Sequence, residues 1–209
     1  IKVKAERQRV APVLSVENLA ALWGAAESSF YGSMYMVLAL GTAGRPAAIL
    51  DLTRDRVRED LQTVQLLPKG KEQNHKRRPV VPLVEPVRLW ARLVPQGFLV
   101  HIDGHPLQSI RSTFGRLRAR AGLPAEVTPY SLRRSVATHL RVRGVPKDDI
   151  AALLGHSTGH DTTDLYLEAG DFLPTVKEGL ERFLNEIGRV GARPIVPTIA
   201  NPPRQRRCL

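Results

Sequence analysis

Four residues of this 209-residue chain could together do chemistry on a phosphodiester. They are Arg45 in GTAGRPAAIL, Arg133 in TPYSLRRSVATHL, and His156 and Tyr166 in LLGHSTGHDTTDLY. Guanidinium forks match phosphate oxygens. A tyrosine hydroxyl can attack phosphorus, and a histidine can hydrogen-bond or move a proton. Such a site needs no metal-ligand cluster, and no cofactor is expected. A free phenol has a pKa near ~10 and is a poor nucleophile at neutral pH. Two nearby arginines would favour the phenolate and stabilise the charge of a pentacoordinate transition state. The departing sugar oxygen then needs a proton, which a lysine on a basic hairpin could supply.

Taken singly, each residue has an ordinary reading. Arg133 shares a helix face with Val136, Ala137 and Leu140, so it could form an internal salt bridge. It also stands just inside a helix N-terminus, where backbone N–H groups favour an anion. Arg45 could be a capping or surface arginine, and His156 a helix C-terminal histidine on the dipole. Tyr166 could be a packed helix tyrosine.

The elements that must position these residues are mostly helical. Ser15 reads as an N-cap with Glu17 in the first turn, and Leu19, Leu22 and Trp23 form an apolar stripe. A second helix is expected over 30–40, stopping near Gly41 and Gly44. A short third begins at Pro46, a good first-turn residue. Strands are expected over 64–67 and 79–83, joined by a basic turn, KGKEQNHKRR. Helical patterning returns over 85–93, and a short strand over 98–102 closes at Asp103-Gly104. A basic helix covers 109–121. Thr128-Pro129 starts the helix over 130–143 that carries Arg133, and Gly144 ends it. Pro146 starts another that Gly155 ends. A helix near 162–168 carries Tyr166, and the last runs over 173–187. The Pro-rich basic tail from 189 reads as disordered or docked on another body.

Thirty-one Lys and Arg against 20 Asp and Glu give a net charge of +11, which suggests a polyanionic partner, most simply nucleic acid. Aromatic residues are only 5% of the chain, which argues against a single-strand binder built on base stacking. No apolar run approaches a membrane span. Cys208 is the sole cysteine, which excludes an internal disulfide framework and a Cys-rich zinc site, and a cytosolic compartment fits.

The segments occur together and in one order. TPYSLRRSVATHL followed by LLGH and then a tyrosine resembles the catalytic domain of the tyrosine recombinases, or phage-type integrases, over roughly residues 12–187. GTAGRPAAILDL is similar to the segment with the family's first catalytic arginine, which falls on Arg45. The second arginine falls on Arg133, the histidine on His156 and the nucleophile on Tyr166. The hairpin ending in VVPL resembles the family's catalytic-lysine hairpin. Lys76 is the first choice for that lysine, Lys71 the second and Lys69 the third. Lys69, Arg77, Arg78 and Arg134 are expected on the DNA.

Two departures stand out. Tyr130 occupies the place of a usual histidine or lysine; its hydroxyl can donate to a phosphate oxygen but carries no charge. Ala48 replaces a common acidic residue three places after Arg45, so Asp51 is a candidate to orient that arginine.

The resemblance implies an α+β fold, mainly α-helical with a small antiparallel hairpin sheet. It implies residues 1–12 as the end of a linker from an N-terminal DNA-clamping domain, 13–188 as the catalytic domain and 189–209 as a tail. It implies a metal- and ATP-independent enzyme on double-stranded DNA, working as a homotetramer through its C-terminal segment, away from membranes and at the nucleoid. Three other readings compete. A type IB topoisomerase shares the residue set, but the short spacing from the LGH histidine to tyrosine favours a recombinase. Residues 130–154 could be a helix-turn-helix of a DNA-binding regulator. A metal-dependent nuclease lacks a recurring carboxylate cluster.

Overall fold

A computed structural model describes residues 10–74, 77–156 and 173–197. Its centre is the apolar segment FYGSMYMVLALGT. A helix that is apolar on every side must be surrounded. This one, α2 (Phe30–Thr42), is buried from Gly32 through Thr42. Around it pack α1 (Val16–Ala26), α3 (Pro46–Leu50), α4 (Glu85–Ala91), α5 (Arg111–Arg120), α6 (Pro129–Val142) and α8 (Pro174–Val190). The seventh helix, α7 (Lys147–Leu153), lies against α6 and α8.

Helix α2 ends at Thr42, between Gly41 and Gly44, where the sequence suggested a stop. A Cβ at Gly41 would lie 2.4 Å from Val87 Cγ2, so this glycine serves close packing against α4. The stop falls on Ala43 in the left-handed region, at φ 50°. Ser15 caps α1 as expected, accepting from the Asn18 N–H. At the start of α6 the Thr128 N–H donates to Ser131 Oγ at 3.1 Å.

Strands β1 (Val57–Arg58), β2 (Thr63–Gln65) and β3 (Val80–Pro82) form an antiparallel sheet in that order. Val57 opposes Val64, and Val64 opposes Val81. The β2–β3 hairpin was expected; β1, only two residues long, was not. The strand expected over 98–102 reduces to β4 (His101–Ile102), paired with β5 (His105–Pro106) across Asp103-Gly104. Both turn residues have positive φ, 50° and 82°, as a tight two-residue hairpin requires. Phe98 instead bridges to Thr53.

Helix α8 buries Val176, Leu180, Phe183, Leu184 and Ile187 and continues to Val190. The chain then turns back on the same body. Arg193 pairs with Glu27 at the end of α1, and Ile195 joins the core. The first part of the expected tail thus packs on its own domain. Among the described residues no helix is long and apolar enough to cross a membrane.

Candidate active site

Arg45 is the N-cap of α3, with extended backbone (φ −67°, ψ 146°) and Pro46 locking the first turn behind it. The cap position turns the side chain away from the helix it starts. Its Nη1 donates to the Arg77 carbonyl at 2.6 Å, on the returning arm of the hairpin.

Arg133 lies within α6, half-buried, and bridges two helix ends. Its Nη1 donates to Ala43 O at 2.7 Å and its Nη2 to Leu154 O at 2.6 Å. Ala43 is the C-cap of α2 and Leu154 the C-cap of α7. One guanidinium therefore satisfies carbonyls at the negative ends of two helices. That offsets burial only in part: desolvation, then the Arg45 charge, lowers the Arg133 pKa to about 10. It remains protonated at neutral pH. Among the described residues neither Arg45 nor Arg133 has a carboxylate partner. Among the described residues, neutral carbonyls stand where an internal salt bridge was considered for Arg133, and they do not neutralise its charge.

His156 follows Gly155 at the end of α7, and its backbone N–H donates to Ala151 O at 2.9 Å. Burial, then the charges of Arg133 and Arg45, hold its imidazole below the ordinary histidine pKa. The three groups thus share one electrostatic field. Gly155 has φ 62°, and a Cβ there would lie 2.8 Å from Pro79 Cδ and 2.9 Å from Arg77 O. The hairpin arm passes between Arg45 and Gly155, so both sides of the site hold the same backbone.

Tyr130, in the first turn of α6, is 55% exposed and free to meet a ligand. Its electrostatic interaction with Arg133 places it in the same field. Lys69 and Lys71 lie exposed on the hairpin, as does Arg77. Arg78 does not reach outward. Its Nη1 pairs with Asp51, and its backbone N–H and carbonyl bond the Gln73 side chain at 2.9 and 2.8 Å. Arg134 is exposed and donates to Ala11 O, on the entering segment. Asp51 does not pair with Arg45 directly: it holds Arg78 and, at 3.8 Å, Arg56. Arg45 is oriented by its cap position and the Arg77 carbonyl. Lys76 and Tyr166 lie outside the described residues.

Sequence reasoning missed the carbonyl partners of both arginines and the role of Arg78. A carbonyl is present at every residue and leaves no mark in a sequence. The basic hairpin beside a lone Asp51 was the only visible hint of an ion pair.

The two-helix segment from α6 to α7 is not a free helix-turn-helix. Val145, Ile150 and Leu153 are buried, and Asp148 and Asp149 fill the first turn of α7. Those carboxylates would repel phosphates where a recognition helix meets DNA.

The phage integrase family model matches residues 12–171. A tyrosine recombinase XerC of Rhodospirillum centenum is 31% identical over 179 residues, covering 81% of this chain and 51% of that protein. One of Nitrobacter winogradskyi is 42% identical over 77 residues, covering 35% of this chain and 24% of that protein. The chain thus spans about half or less of the length of these relatives. Among solved structures, a Tn1549 transposon integrase bound to circular intermediate DNA superposes with a TM-score of 0.57 at 17% identity, over 77% of this chain and 65% of that one. The same integrase with transposon right end DNA gives 0.59 at 17% identity, over 86% and 68%. These likenesses establish a shared fold. The sequence matches go further: the chain belongs to the phage integrase family of tyrosine recombinases.

Proposed function

We propose that this chain is the catalytic domain of a site-specific recombinase that cuts and rejoins duplex DNA through a 3′-phosphotyrosyl link on Tyr166. The observation that carries the reading is the pair Arg45 and Arg133, without a carboxylate partner among the described residues, beside a histidine whose pKa is lowered by burial and then by their charges. Two cations whose partners among the described residues are neutral carbonyls favour an anion between them, and a DNA phosphate supplies one.

In this scheme Tyr166 Oη attacks phosphorus and the bond from phosphorus to the 5′ oxygen breaks. Arg45 and Arg133 neutralise the non-bridging oxygens as charge builds. His156 and Tyr130 hydrogen-bond the same phosphate, and His156 takes up the phenolic proton. A hairpin lysine, Lys76 first and Lys71 next, protonates the leaving oxygen. The 5′-hydroxyl of a second strand then attacks the phosphotyrosine and releases Tyr166. The phosphodiester energy stays in the covalent link, so ATP and a metal are not required. Lys69, Arg77 and Arg134 supply backbone contacts to the duplex. The working assembly is a tetramer on two duplexes, joined through the C-terminal segment, at the nucleoid in the cytoplasm.

The test starts from the full-length protein and a pool of nicked duplexes with a randomised region, from which covalent adducts are recovered on a denaturing gel. A DNA site should be enriched, and Tyr166→Phe should form no adduct with it. An adduct that persists in Tyr166→Phe removes the nucleophile assignment. Binding without any adduct favours a regulator, and plasmid relaxation without strand exchange favours a topoisomerase.

A further inference from the structure

Helix α3 holds the hairpin at both of its ends. At the N-cap, Arg45 donates to the Arg77 carbonyl at 2.6 Å. At the C-cap, the Asp51 carboxylate pairs with the guanidinium of the next residue, Arg78. Five helical residues separate the two caps, so their spacing is fixed. Asp51 is itself steadied by Arg56, which is buried. Gln73 closes the loop around Arg78 by bonding both its backbone N–H and its carbonyl. Arg78 is therefore fastened on its side chain and its backbone, and the peptide before it carries the oxygen that Arg45 grips.

We propose that Asp51 and Arg78 are a positioning pair, which fixes the Arg77 carbonyl and through it aims Arg45 at the scissile phosphate. The proposal rests on the phosphodiester reading of the site. It gives Asp51 an indirect part in orienting Arg45, in place of the direct contact that the sequence suggested. The carboxylate does not touch the catalytic arginine; it holds the strand that does. Without it the hairpin arm can drift, and Arg45 loses the acceptor that sets its orientation. A misplacement near 1 Å at a reacting centre costs on the order of a hundredfold in rate. A loosened arm that still samples the right position should cost less, on the order of tenfold.

The experiment is a mutant cycle on single-turnover adduct formation, using the full-length protein and the nicked duplex selected above. Asp51→Asn alone should slow the adduct about tenfold, while Asp51→Glu, which keeps the carboxylate, should recover most of the rate. In an Arg45→Ala background, Asp51→Asn should add less than about twofold, because the residue it acts through is gone. Arg78→Gln should repeat the pattern and carries the test if Asp51→Asn fails to fold by its melting curve. A wild-type rate for both Asp51→Asn and Arg78→Gln would overturn the proposal. So would a full tenfold loss added on top of Arg45→Ala, which marks a general structural role. A wild-type protein that never forms an adduct has a different signature: the phosphodiester reading falls, and the positioning pair with it.

Discussion

Arg133 is anchored two residues before Arg45, through the bond from its Nη1 to the Ala43 carbonyl at 2.7 Å. The same short turn therefore sets both guanidiniums, one by its carbonyl and one by its N-cap. Burial, and after it the nearby Arg45 charge, lowers the Arg133 pKa to about 10, so holding the two cations together has a cost. An anion placed between them removes that cost. Inorganic phosphate or sulfate should therefore raise the melting temperature of the wild-type protein. At a hundredfold excess over Kd the gain would be about 2.7 kcal/mol. Arg133→Ala should abolish the shift, and Arg133→Lys should not restore it. A single ammonium cannot span Ala43 O and Leu154 O as the guanidinium fork does. Differential scanning calorimetry with chloride as the control anion checks this.

His156 should report the same field. Its folded pKa lies below the ordinary value because of burial and then the two arginines. The unfolded chain takes up the imidazole proton first as pH falls. His156 thus contributes stability that is present above about pH 6.5 and lost as pH falls through its depressed folded pKa. Removing Arg133 should move the His156 titration upward, and so should binding phosphate. NMR titration of the imidazole resonances, with His156→Asn for assignment, measures both shifts. Coincident titrations in wild type and Arg133→Ala would contradict the shared field.

Gly155→Ala tests the contact between the hairpin arm and the histidine loop. The substitution meets a positive φ of 62° and places a Cβ 2.9 Å from Arg77 O. Strain of this kind costs about 1–2 kcal/mol, so the fold should survive with a lower melting temperature. The adduct rate should fall further than stability alone explains, by about tenfold or more, because the displaced oxygen is the one Arg45 grips. Circular dichroism melts run beside single-turnover assays separate the two effects.

The framework of the site was legible in the sequence and its fastening was not. Ser15, Pro46 and Thr128-Pro129 announced three helix starts because capping is local chemistry. The stripe of Val176, Leu180, Phe183, Leu184 and Ile187 announced α8 because its buried face repeats at helical spacing. The end of α2 near Gly41 and Gly44 was legible too, but not its means: Gly41 serves packing, and Ala43 supplies the left-handed turn. The pairs Arg45–Arg77 and Asp51–Arg78 span 32 and 27 residues, and no periodicity connects such distant positions. The acceptor in the first pair is a backbone carbonyl, so even perfect knowledge of side-chain types would not reveal it.

Gly41→Ala gives a stability prediction away from the site. The new Cβ would overlap Val87 Cγ2 at 2.4 Å and press on Val84 Cγ2 at 3.1 Å. Overpacking of this sort costs about 1–3 kcal/mol, and the helix-propensity gain of up to about 1 kcal/mol recovers only part of it. Adding Val87→Ala should restore much of the loss by opening the space the methyl needs. Denaturant melts of the two single variants and the double variant check the coupling; strict additivity would show that α2 and α4 do not meet at Gly41.

Arg77 and Arg78 are neighbours with opposite expected behaviour. The Arg77 side chain is exposed, while Arg78 is held by Asp51. If Arg77 meets a phosphate, Arg77→Ala should lower the slope of log K against log salt by about 0.9 and weaken all duplexes alike. Its effect on stability should stay within about 0.5 kcal/mol, as at other exposed positions. Arg78→Ala should leave the salt slope near that of wild type, because its charge is already spent on a carboxylate, and should instead lower the adduct rate. Fluorescence anisotropy on one duplex across a salt series measures the slopes. A reversed pattern, with Arg78 carrying the salt dependence, would place the Arg78 guanidinium on DNA and break its pairing with Asp51 in the complex.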